Sequence, residues 1–459
     1  MASDSQHQDD EVRSWAGDFD PLADPDERRV LFAALDSFRW ECNMEVMRRE
    51  TEKEVMLHLL LWSSNTVPSG FSSLSANFGI WRLHRQYRRT AHMNTTHRRR
   101  QAFYALPSAH WQMLAEPPFS ILDNFNRVDD AIDVNAEIAD AILATGLSSF
   151  GLPANPDPED PRQNWHNTAT SSDVNKAHST IRQFYRDWSS EGKAEREVCV
   201  EPVVHELRDE FGERLASREE IKVLIPGAGL GRLVFEVCQA GFAAEGNEIS
   251  YHQLLASSWV LNHTSGPQHH ALYPFALHFS NLLSREQQLQ RVMIPDTHPG
   301  VAMIEAQANQ TPFGSMGMSA ADFVVLYSSP SNKEAYDAVT TVFFVDTAPN
   351  LIRYVETIRH CLKPNGVWVN VGPLLWHFED GSNRSQREGD HDEHQGIGEP
   401  GNVELTEEEV FCLVERMGFN IEKRQAVEDR PMCGYIQDPQ SMLQPLYKPS
   451  KWVARKKNP

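Results

Sequence analysis

The sequence predicts an α/β fold: a Rossmann-like parallel sheet with helices on both faces, preceded by a helical N-terminal region. Three observations support this prediction. The segment VLIPGAGLGRLVFEVCQAGFAAEGNE, Val223 to Glu248, places a Gly-rich turn between apolar runs. Further along, YDAVTTVFFV and VWVNVG are continuous apolar runs of the kind found in buried parallel strands. Before position 150, apolar residues recur at helical spacing.

The Gly-rich segment is typical of a nucleotide-binding half-unit. Val223 to Ile225 is a short apolar run that predicts a buried strand. The following turn contains three glycines, which let the backbone approach a ligand without a Cβ in the way: Gly227, Gly229 and Gly231. Leu230 to Ala240 predicts a helix, and Phe242 to Gly246 a second strand. Glu248 then stands 21 positions after Gly227, where an acid accepts hydrogen bonds from ribose hydroxyls.

The glycine spacing favours S-adenosylmethionine (SAM) over a dinucleotide as the cofactor. A dinucleotide fingerprint has a third Gly three positions after the second, and Arg232 occupies that position. The observed G-x-G-x-G is the pattern of SAM methyltransferases, whose cofactor carries no phosphate. An ordinary strand-to-helix turn is the alternative, and the placement of Glu248 argues against it. We therefore expect a class I SAM-methyltransferase sheet.

Composition excludes several classes of function. The chain has 459 residues and a formal net charge of −21, which disfavours binding to nucleic acid or to an anionic membrane. Its scattered cysteines contain no CxxC pair, so we expect reduced thiols and no metal site. They are Cys42, Cys199, Cys238, Cys361, Cys412 and Cys433. The polar, acidic start predicts no secretory signal, and Val55 to Trp62 is too short an apolar run to span a bilayer. The expected location is the cytoplasm, with the nucleus also open.

A helical accessory region is predicted before the Gly-rich segment. Residues 1–22 are acidic and poor in apolar side chains, and we expect them to be disordered. Residues 23–150 form the accessory region, which starts with Asp24 as N-cap and Pro25 as the first helical residue. The stretch 40–86 within it is atypical and lacks a sustained period, so a real insertion and a gene-model error both stay open.

Domain boundaries follow from the Pro-rich and charged stretches. Residues 151–171 contain several prolines among polar residues and are predicted to be a linker. Residues 172–459 are the predicted methyltransferase domain, with a flexible Gly-rich loop at 379–402. The first helix is expected to end near Arg39 and to bury one face: Val30, Leu31, Ala34, Leu35 and Phe38.

A basic run, RRTAHMNTTHRRRQ, extends from Arg88 to Gln101. It could form a patch for anions or nucleic acid. In so acidic a chain, a solvated or internally paired face is the favoured interpretation. A long helix is predicted after it, from Phe119 to Leu147.

Polar side chains on the helix before the Gly-rich segment are the first site candidates. Asp173 is expected to cap this helix. Gln183 and Arg186 are three residues apart, so they share one helix face. An amide and a guanidinium in this arrangement can close over a cofactor carboxylate. The alternative is that both are ordinary surface residues.

Residues after the Gly-rich segment supply the remaining candidates. Residues 264–320 show no regular pattern. Ala321 to Tyr327 is predicted to be a strand that opens with Asp322 and Phe323, an acid and an aromatic able to bind and stack on adenine. Asp346 and His377 each follow an apolar run, and ligands of open α/β sheets bind beyond the carboxyl ends of strands. Cys433 to Tyr447, between the last two predicted strands, is placed to cover the site.

Several long motifs in one order resemble the carnosine N-methyltransferase family. They include QFYRDWSSEGKAER, VLIPGAGLGRL, FFVDTAPN and LKPNGVWVNVGPLLWHFE. The resemblance covers roughly residues 90–459 apart from the acidic loop, and residues 40–86 have no counterpart in it. It implies methyl transfer from SAM to an imidazole ring nitrogen of carnosine (β-alanyl-histidine), which gives anserine.

The resemblance also implies roles for individual residues. Its SAM contacts fall on Gln183, Arg186, Gly227, Glu248, Asp322, Phe323 and Ala338. The family can carry a Cys at the Ala338 position. Its substrate-binding residues fall on Asp346, His377 and Tyr447, of which Asp346 and His377 are the predicted catalytic residues.

We expect Asp346 to accept a hydrogen bond from the ring N–H that does not attack, which would fix the tautomer and stabilise the cation formed. The expected partner is an imidazole dipeptide or a histidine-containing peptide, with no nucleic acid and no membrane; a homodimer is left open. Three other functions stay open at this point. They are a protein-histidine methyltransferase, an NAD-dependent oxidoreductase and a non-catalytic SAM-binding protein.

Overall fold

The computed structural model of the chain describes residues 20–39, 87–216, 220–377 and 401–458. The stretch 40–86, nearly all of the acidic tail and most of the 379–402 loop therefore lie outside the described residues. Within the described ranges, no helix is both long and apolar enough to cross a membrane.

A seven-stranded mixed sheet forms the centre of the molecule, and a short hairpin lies apart from it. The strands are β1 Lys222–Pro226, β2 Ala243–Glu248, β3 His270–Leu272, β4 Val292–Ile294, β5 Met316–Ala320, β6 Tyr336–Val342, β7 Leu362–Gly372, β8 Phe419–Arg424 and β9 Ser450–Lys456. The sheet order is β5-β2-β1-β6-β7-β9-β8, and β3 pairs with β4 in the hairpin.

The pairing direction distinguishes this sheet from a dinucleotide-binding one. Strands β5, β2, β1, β6 and β7 are parallel, whereas β9 is antiparallel to both β7 and β8. A dinucleotide-binding sheet continues with a parallel sixth strand. The antiparallel β9 between β7 and β8 is the arrangement of class I methyltransferases, so the predicted fold class is confirmed.

Helices precede the sheet and cover both of its faces. Those of the N-terminal region are α1 Pro25–Phe38, α2 Tyr87–His92, α3 Arg98–Tyr104, α4 Ser108–Ala115 and α5 Ile121–Ser149. A π-helical segment, Met93–His97, joins α2 to α3. The others are α6 Ser171–Trp188, α7 Lys193–Cys199, α8 Glu201–Ala216, α9 Arg232–Gln239, α10 Tyr251–Asn262, α11 Arg285–Gln288, α12 Pro299–Asn309, α13 Phe323–Tyr327, α14 Leu351–Cys361 and α15 Glu407–Arg416.

Alternating side chains of the sheet build two apolar cores. Val223 and Ile225 pack with α8 and α9 on one face. Leu224 and Val339 point to the opposite face, where α13, α14 and α15 cover them. A third core joins α1, α5 and α6 to α10, so the N-terminal helices pack directly on helices of the predicted methyltransferase domain.

The caps predicted for α1 and α15 are confirmed, whereas the cap predicted for α6 is not. The Asp24 carboxylate accepts from the backbone N–H of Asp26 and Glu27, as an N-cap should. Thr406 and Glu409 form the expected capping box of α15. The prediction of Asp173 as the cap of α6 was wrong, because Thr170 is the N-cap and Asp173 is its capping-box partner at the third helical position.

Burial of α1 also differs from the expected single face. Val30 is 42% exposed, although the helical period placed it on the buried side. Asp36 and Ser37 are buried instead, because the second half of α1 is enclosed by other elements. Asp36 accepts from the backbone N–H of Ala169, so this half of α1 also contacts the chain just before α6.

Two predictions for the region after α10 were wrong. Residues 264–320 were expected to be irregular, yet they contain the β3–β4 hairpin, two helices and β5. The segment Phe323–Tyr327 was expected to be a strand and is α13, with Asp322 as its N-cap. A five-residue apolar run fits a strand or a buried helix equally well, and only the cap distinguishes them.

The basic run is internally paired in the structure, as the favoured interpretation expected. Arg88 forms an ion pair with Asp133, and Arg100 pairs with Asp129 at 2.6 Å. Both carboxylates belong to α5. The basic run therefore fastens α2 and α3 to the long helix.

Candidate active site

The candidate site lies at the edge of the sheet where the parallel strands end, which we call the carboxyl edge. The chain leaves β1 into Gly227, and Glu248 is the last residue of β2. Asp322, Asp346 and His377 follow β5, β6 and β7, respectively. Connections on either side of β1 run in opposite directions along the sheet, and ligands of such sheets bind at this switch point. The topology therefore gathers these five predicted residues at one edge.

The Gly-rich turn has the conformation that its sequence predicts. Gly227, Gly229 and Gly231 have φ angles of 69°, 56° and 76°, a region that L side chains rarely adopt. A Cβ on Gly227 would lie 2.6 Å from the Phe344 ring. The N–H of Gly229 donates to the Glu248 carboxylate at 2.9 Å, which fixes the turn against the end of β2.

Glu248 is held in one orientation by its surroundings. It is 7% exposed, and its Oε1 accepts from the backbone N–H groups of Ile249 and Ser250 at 2.9 Å. In the orientation that satisfies both ends, the Gln253 amide donates to the Glu248 carboxylate at 3.1 and 3.2 Å and accepts from Gln183 at 3.0 Å. The predicted ribose acceptor is thus linked through one side chain to a predicted cofactor contact on α6.

Arg186 projects from the same helix as Gln183 and has one unused donor. Its Nε donates to the neighbouring Asp187 at 2.8 Å, and its guanidinium carbon lies 4.5 Å from the centre of the Tyr435 ring. Burial opposes the charge, but the Asp187 carboxylate outweighs it and holds the pKa of Arg186 above its ordinary value. The Nη1 atom is buried and has no hydrogen-bond partner among the described residues. Such a donor suits an anionic group of a ligand.

Asp322 and Phe323 have different environments at the end of β5. The Asp322 carboxylate accepts from the N–H groups of Val324 and Val325 and so caps α13. The Phe323 ring is 3% exposed and packs edge-on against Phe344, within the core. The adenine-stacking role suggested for Phe323 therefore has no support from its position, whereas Asp322 stays at the carboxyl edge.

The position of Ala338 contradicts its expected contact with SAM. It pairs with Val223, near the amino end of β1, and its side chain is fully buried among the residues of one sheet core. It lies four positions before Val342, the last residue of β6, which is a distance of about 13 Å along a strand. Ala338 therefore does not reach the carboxyl edge, because the register of β6 places it in the interior.

Asp346 and His377 are adjacent, as the sequence predicted from their positions after neighbouring strands. The Asp346 carboxylate is 3.9 Å from the His377 ring and accepts from the N–H of Leu375 at 2.9 Å. Asp346 is 1% exposed, and burial raises its pKa above the ordinary value despite the N–H of Leu375 and the nearby His377. Its Oδ1 is buried and lacks a partner in the described part of the chain.

Backbone strain surrounds this pair. Phe343 and Trp376 have φ angles of 52° and 50°, which are uncommon for aromatic residues. Trp376 immediately precedes His377 on the turn after β7, and Phe343 lies three residues before Asp346 on the turn after β6. Strained backbone of this kind clusters at functional sites, where the surrounding structure enforces it.

A segment between β8 and β9, residues 425–449, crosses this side of the molecule, and we call it the strap. Tyr447 and Tyr435 of the strap both contact the Phe343 ring, with centroid separations of 6.0 and 5.5 Å. The Tyr435 hydroxyl also accepts from Gln183 at 3.3 Å. The structure thus brings predicted Tyr447 to the site.

Sequence reasoning missed Tyr435, Phe343 and Gln253. The only available signal was the expectation that Cys433 to Tyr447 covers the site. It could not single out Tyr435, because no local pattern marks this tyrosine.

Three sides of the candidate site therefore differ in chemistry. Arg186 offers a cationic donor, and Glu248 offers a fixed acceptor. Asp346 offers a buried carboxylate whose Oδ1 has no partner within the described ranges. No group of three or more His, Cys, Asp or Glu side chains within the described ranges is arranged to hold a metal ion. The arrangement suits a ligand that carries an anionic group, hydroxyls and a positively charged or N–H-bearing end.

Comparisons with known proteins agree with this chemistry. A family model described as carnosine N-methyltransferase matches residues 163–458. The carnosine N-methyltransferase of Schizosaccharomyces pombe is 33% identical over 374 residues, which are 81% of this chain and 92% of that protein. The mouse carnosine N-methyltransferase is 32% identical over 372 residues, which are 81% of this chain and 84% of the mouse protein. The Drosophila melanogaster protein carnosine N-methyltransferase unmet is 37% identical over 61% of this chain and 55% of its own length. The chain belongs to the carnosine N-methyltransferase family.

Proposed function

We propose that this protein transfers the methyl group of SAM to an imidazole ring nitrogen of carnosine, giving anserine. The single observation that carries the proposal is the buried Oδ1 of Asp346, which lacks a partner in the described structure and lies at the carboxyl edge beside His377. Carnosine is chosen as the acceptor because the relatives are named carnosine N-methyltransferases. The roles of individual groups are argued from the residues of this chain.

The residues at the other side of the site fit SAM. Arg186 would bind its carboxylate through Nη1, which has no partner in the described part of the chain, with Gln183 beside it. Glu248 would accept from the ribose hydroxyls, since its oxygens already face the Gly-rich turn. Gly227 packs against the Phe344 ring, where a Cβ would not fit, and would hold the turn beside the cofactor. Asp322 would accept from the adenine amino group. When bound, SAM supplies a methyl group that its sulfonium already activates.

Asp346 is suited to controlling the acceptor ring. An imidazole has a pKa near 6.5, so a large fraction of it is neutral at pH 7 and one ring nitrogen has a free lone pair. Asp346 would accept from the N–H of the other ring nitrogen, which selects the tautomer that attacks. As the new N–C bond forms, the ring gains positive charge, and a fixed carboxylate stabilises it without reorganising. The ring N–H proton then leaves to solvent.

His377 and Tyr447 would orient the acceptor rather than react with it. The His377 side chain is 59% exposed, which suits contact with the polar part of a dipeptide. Tyr447 lies against Phe343, on the strap side of the same turn. A ring held between these groups is positioned for attack, and positioning supplies much of the rate when the methyl donor is already activated.

The test is S-adenosylhomocysteine release by the purified protein with SAM and either carnosine or free histidine. Release with carnosine, little release with histidine, and an NMR spectrum of anserine in the product would support the proposal. If SAM binds but neither carnosine nor histidine is methylated, the acceptor assignment is wrong, and histidine-containing peptides become the next acceptors to test.

A further inference from the structure

We infer that Glu195 is a positioning residue: it fixes the strap so that Tyr435 holds Arg186 and Gln183 at the cofactor side of the site. The inference rests on the proposed function only in identifying the ligand of that side as SAM. Glu195 lies on α7, outside the carboxyl edge of the sheet. It falls within the motif QFYRDWSSEGKAER, but none of the roles implied by the family resemblance was assigned to it.

Glu195 contacts the strap through both carboxylate oxygens. Oε2 accepts from the backbone N–H of Ile436 at 2.8 Å, and Oε1 accepts from that of Gln437 at 2.7 Å. Hydrogen bonds to an ionised carboxylate are shorter and stronger than those between neutral groups. The two bonds join positions 241 and 242 residues apart in the chain. One buried side chain therefore fixes two successive peptide groups of the strap.

The strap conformation at this point requires such support. Ile436 has a φ angle of 54°, and a β-branched residue in this region is a genuine outlier. Its side chain is 4% exposed and packs in the core that also contains α6. Without the Glu195 carboxylate, the strained peptide would lose the hydrogen bonds that hold it. The chain would then be free to relax to an ordinary conformation.

Tyr435 immediately precedes this fixed point and touches both cofactor-side residues. Its ring lies 4.5 Å from the Arg186 guanidinium carbon, and its hydroxyl accepts from Gln183 at 3.3 Å. A guanidinium over an aromatic face is attracted to it, and the ring limits where the side chain can move. A shift of Ile436 would move Tyr435, and Arg186 would no longer present Nη1 in one fixed direction.

The burial of Glu195 argues against a role in general ion pairing. Its side chain is 8% exposed, and no cation of the described chain lies within ion-pair distance of it. Burial raises the pKa of Glu195, although the N–H groups of Gln437 and Ile436 and the charge of Arg186 oppose that rise. A buried carboxylate without an adjacent cation is unfavourable unless its hydrogen bonds serve a purpose. Here all of its hydrogen bonds from the described residues come from the strap.

The experiment compares Glu195→Gln with Glu197→Gln, a matched change on the same helix. The Glu197 side chain is 50% exposed and forms an ion pair with Lys193 at 3.3 Å. We measure the dissociation constant of S-adenosylhomocysteine by calorimetry, because this measurement needs no methyl acceptor. In Glu195→Gln, an NH₂ group replaces one of the two carboxylate oxygens, and this donor cannot accept from a strap N–H. We therefore expect S-adenosylhomocysteine to bind about tenfold more weakly. Glu197→Gln should bind like the wild type.

Two further measurements separate positioning from a general loss of stability. In Glu195→Gln, the amides of Ile436 and Gln437 should exchange hydrogen faster, while those of β1 and β6 keep their protection. In a Tyr435→Ala background, Glu195→Gln should weaken binding by much less than tenfold, because the effect acts through Tyr435. Unchanged affinity in Glu195→Gln, or effects that simply add in the double variant, would overturn the inference and leave the proposed function intact. Absence of S-adenosylhomocysteine binding by the wild type would overturn both.

Discussion

Two buried polar atoms of opposite charge define the candidate site at the scale of single residues. Nη1 of Arg186 and Oδ1 of Asp346 each lack a hydrogen-bond partner in the described structure. Buried polar groups without partners are rare, and each calls for an explanation. A cofactor carboxylate at Arg186 and an acceptor N–H at Asp346 would satisfy both. The two residues therefore correspond to the two ends of the proposed reaction.

Replacement of Asp346 by Asn should lower turnover and leave cofactor affinity unchanged. The amide keeps the shape of the side chain but removes the charge that would stabilise the ring cation, so we expect about a 10²- to 10³-fold loss in kcat. The measurement is steady-state kinetics with carnosine, together with calorimetry of SAM binding.

Asp337→Asn is the matched control for Asp346→Asn. Asp337 is a buried carboxylate on β6, but it pairs with Lys363 and Arg214 at the amino end of the strand. Its loss should lower the melting temperature and leave kcat unchanged. Near-normal turnover of Asp346→Asn would contradict the proposed role of Asp346.

Gly227→Ala should disturb both folding and cofactor binding. The new Cβ would lie 2.6 Å from Phe344, at a backbone φ of 69°. We expect a loss of about 1–3 kcal/mol in the free energy of unfolding, together with weaker SAM binding. Urea unfolding and calorimetry measure the two effects.

Gly212→Ala is the control for Gly227→Ala, because Gly212 lies in α8 and a Cβ there would meet nothing within 4 Å. This change should increase the free energy of unfolding by about 0.5–1 kcal/mol, since Ala favours a helix. Equal behaviour of the two variants would show that the Gly-rich turn tolerates a side chain.

At the scale of elements, α2, α5 and the π-helical segment form a partly buried charge cluster outside the site, in which His92 is buried and both carboxylates are half-buried. The two ring nitrogens of His92 lie 2.8 Å from Asp129 and from Asp133. Burial alone would lower the pKa of His92, but hydrogen bonds to both carboxylates outweigh it and raise the pKa. The pKa values of Asp129 and Asp133 are lowered, because His92 and neighbouring arginines offset the cost of burial. Charged His92 thus binds the two helices together.

The stability of this cluster should depend on pH. Because the pKa of His92 is raised in the folded state, its contribution is complete below about pH 6.5, the ordinary imidazole value, and is lost as the pH rises through the folded-state value. Asp129 and Asp133 contribute at neutral pH, and their contribution is lost only in acid, as the pH falls through their lowered folded-state pKa values. We expect the free energy of unfolding of the wild type to fall when the pH rises from 6 to above the folded-state pKa.

His92→Asn should remove this dependence, because the amide cannot become charged. At pH 6 the variant should be less stable than the wild type by about 1.5–3 kcal/mol, and the difference should shrink at higher pH. Urea unfolding at several pH values measures this. The control is His205→Asn, whose ring is 72% exposed beside Asp209 and should contribute little. A constant difference between His92→Asn and the wild type at all pH values would contradict the assignment.

At the scale of the whole molecule, the N-terminal helices and the sheet domain share one core. Gly146 of α5 is in close contact with Leu35 of α1 and Leu255 of α10. A Cβ added to Gly146 would lie 2.7 Å from a methyl carbon of each leucine. Trp165, within the proposed linker 151–171, is 1% exposed and belongs to the same core. Because the core continues through the linker, we propose that the accessory region and the methyltransferase domain unfold together.

Leu35→Ala tests this proposal. Removing a fully buried leucine should cost about 2–5 kcal/mol, whereas Val30→Ala at a 42% exposed position on the same helix should cost little. Tryptophan fluorescence and SAM binding should be lost at the same urea concentration in the wild type and at the same lower concentration in Leu35→Ala. A separate, earlier fluorescence transition that leaves SAM binding intact would mean that the accessory region unfolds alone.

The sequence by itself determined the parts of the site that local patterns encode. The Gly-rich turn and Glu248 form one continuous unit, so strand, turn and acid could be read without knowing the rest of the fold. Asp346 and His377 could be predicted because each follows a strand, and parallel strands end at the same edge. Helical spacing placed Gln183 and Arg186 on one helix face but left ordinary surface residues as the alternative, and the family resemblance assigned them to the cofactor. The positions of these residues needed only short-range periodicity and one rule of sheet architecture, whereas their individual roles came from the family resemblance.

Only the tertiary structure decided which other side chains meet these residues. Ala338 matched a family position but lies in the interior, because the register of β6 depends on its pairing with β1. The contact of Glu195 with the strap joins residues 241 positions apart, and no periodic pattern extends so far. Burial likewise left Nη1 of Arg186 and Oδ1 of Asp346 without hydrogen-bond partners among the described residues, and burial depends on how the elements pack. Local sequence determines what each segment can form, and long-range packing determines which polar groups are left to bind a ligand.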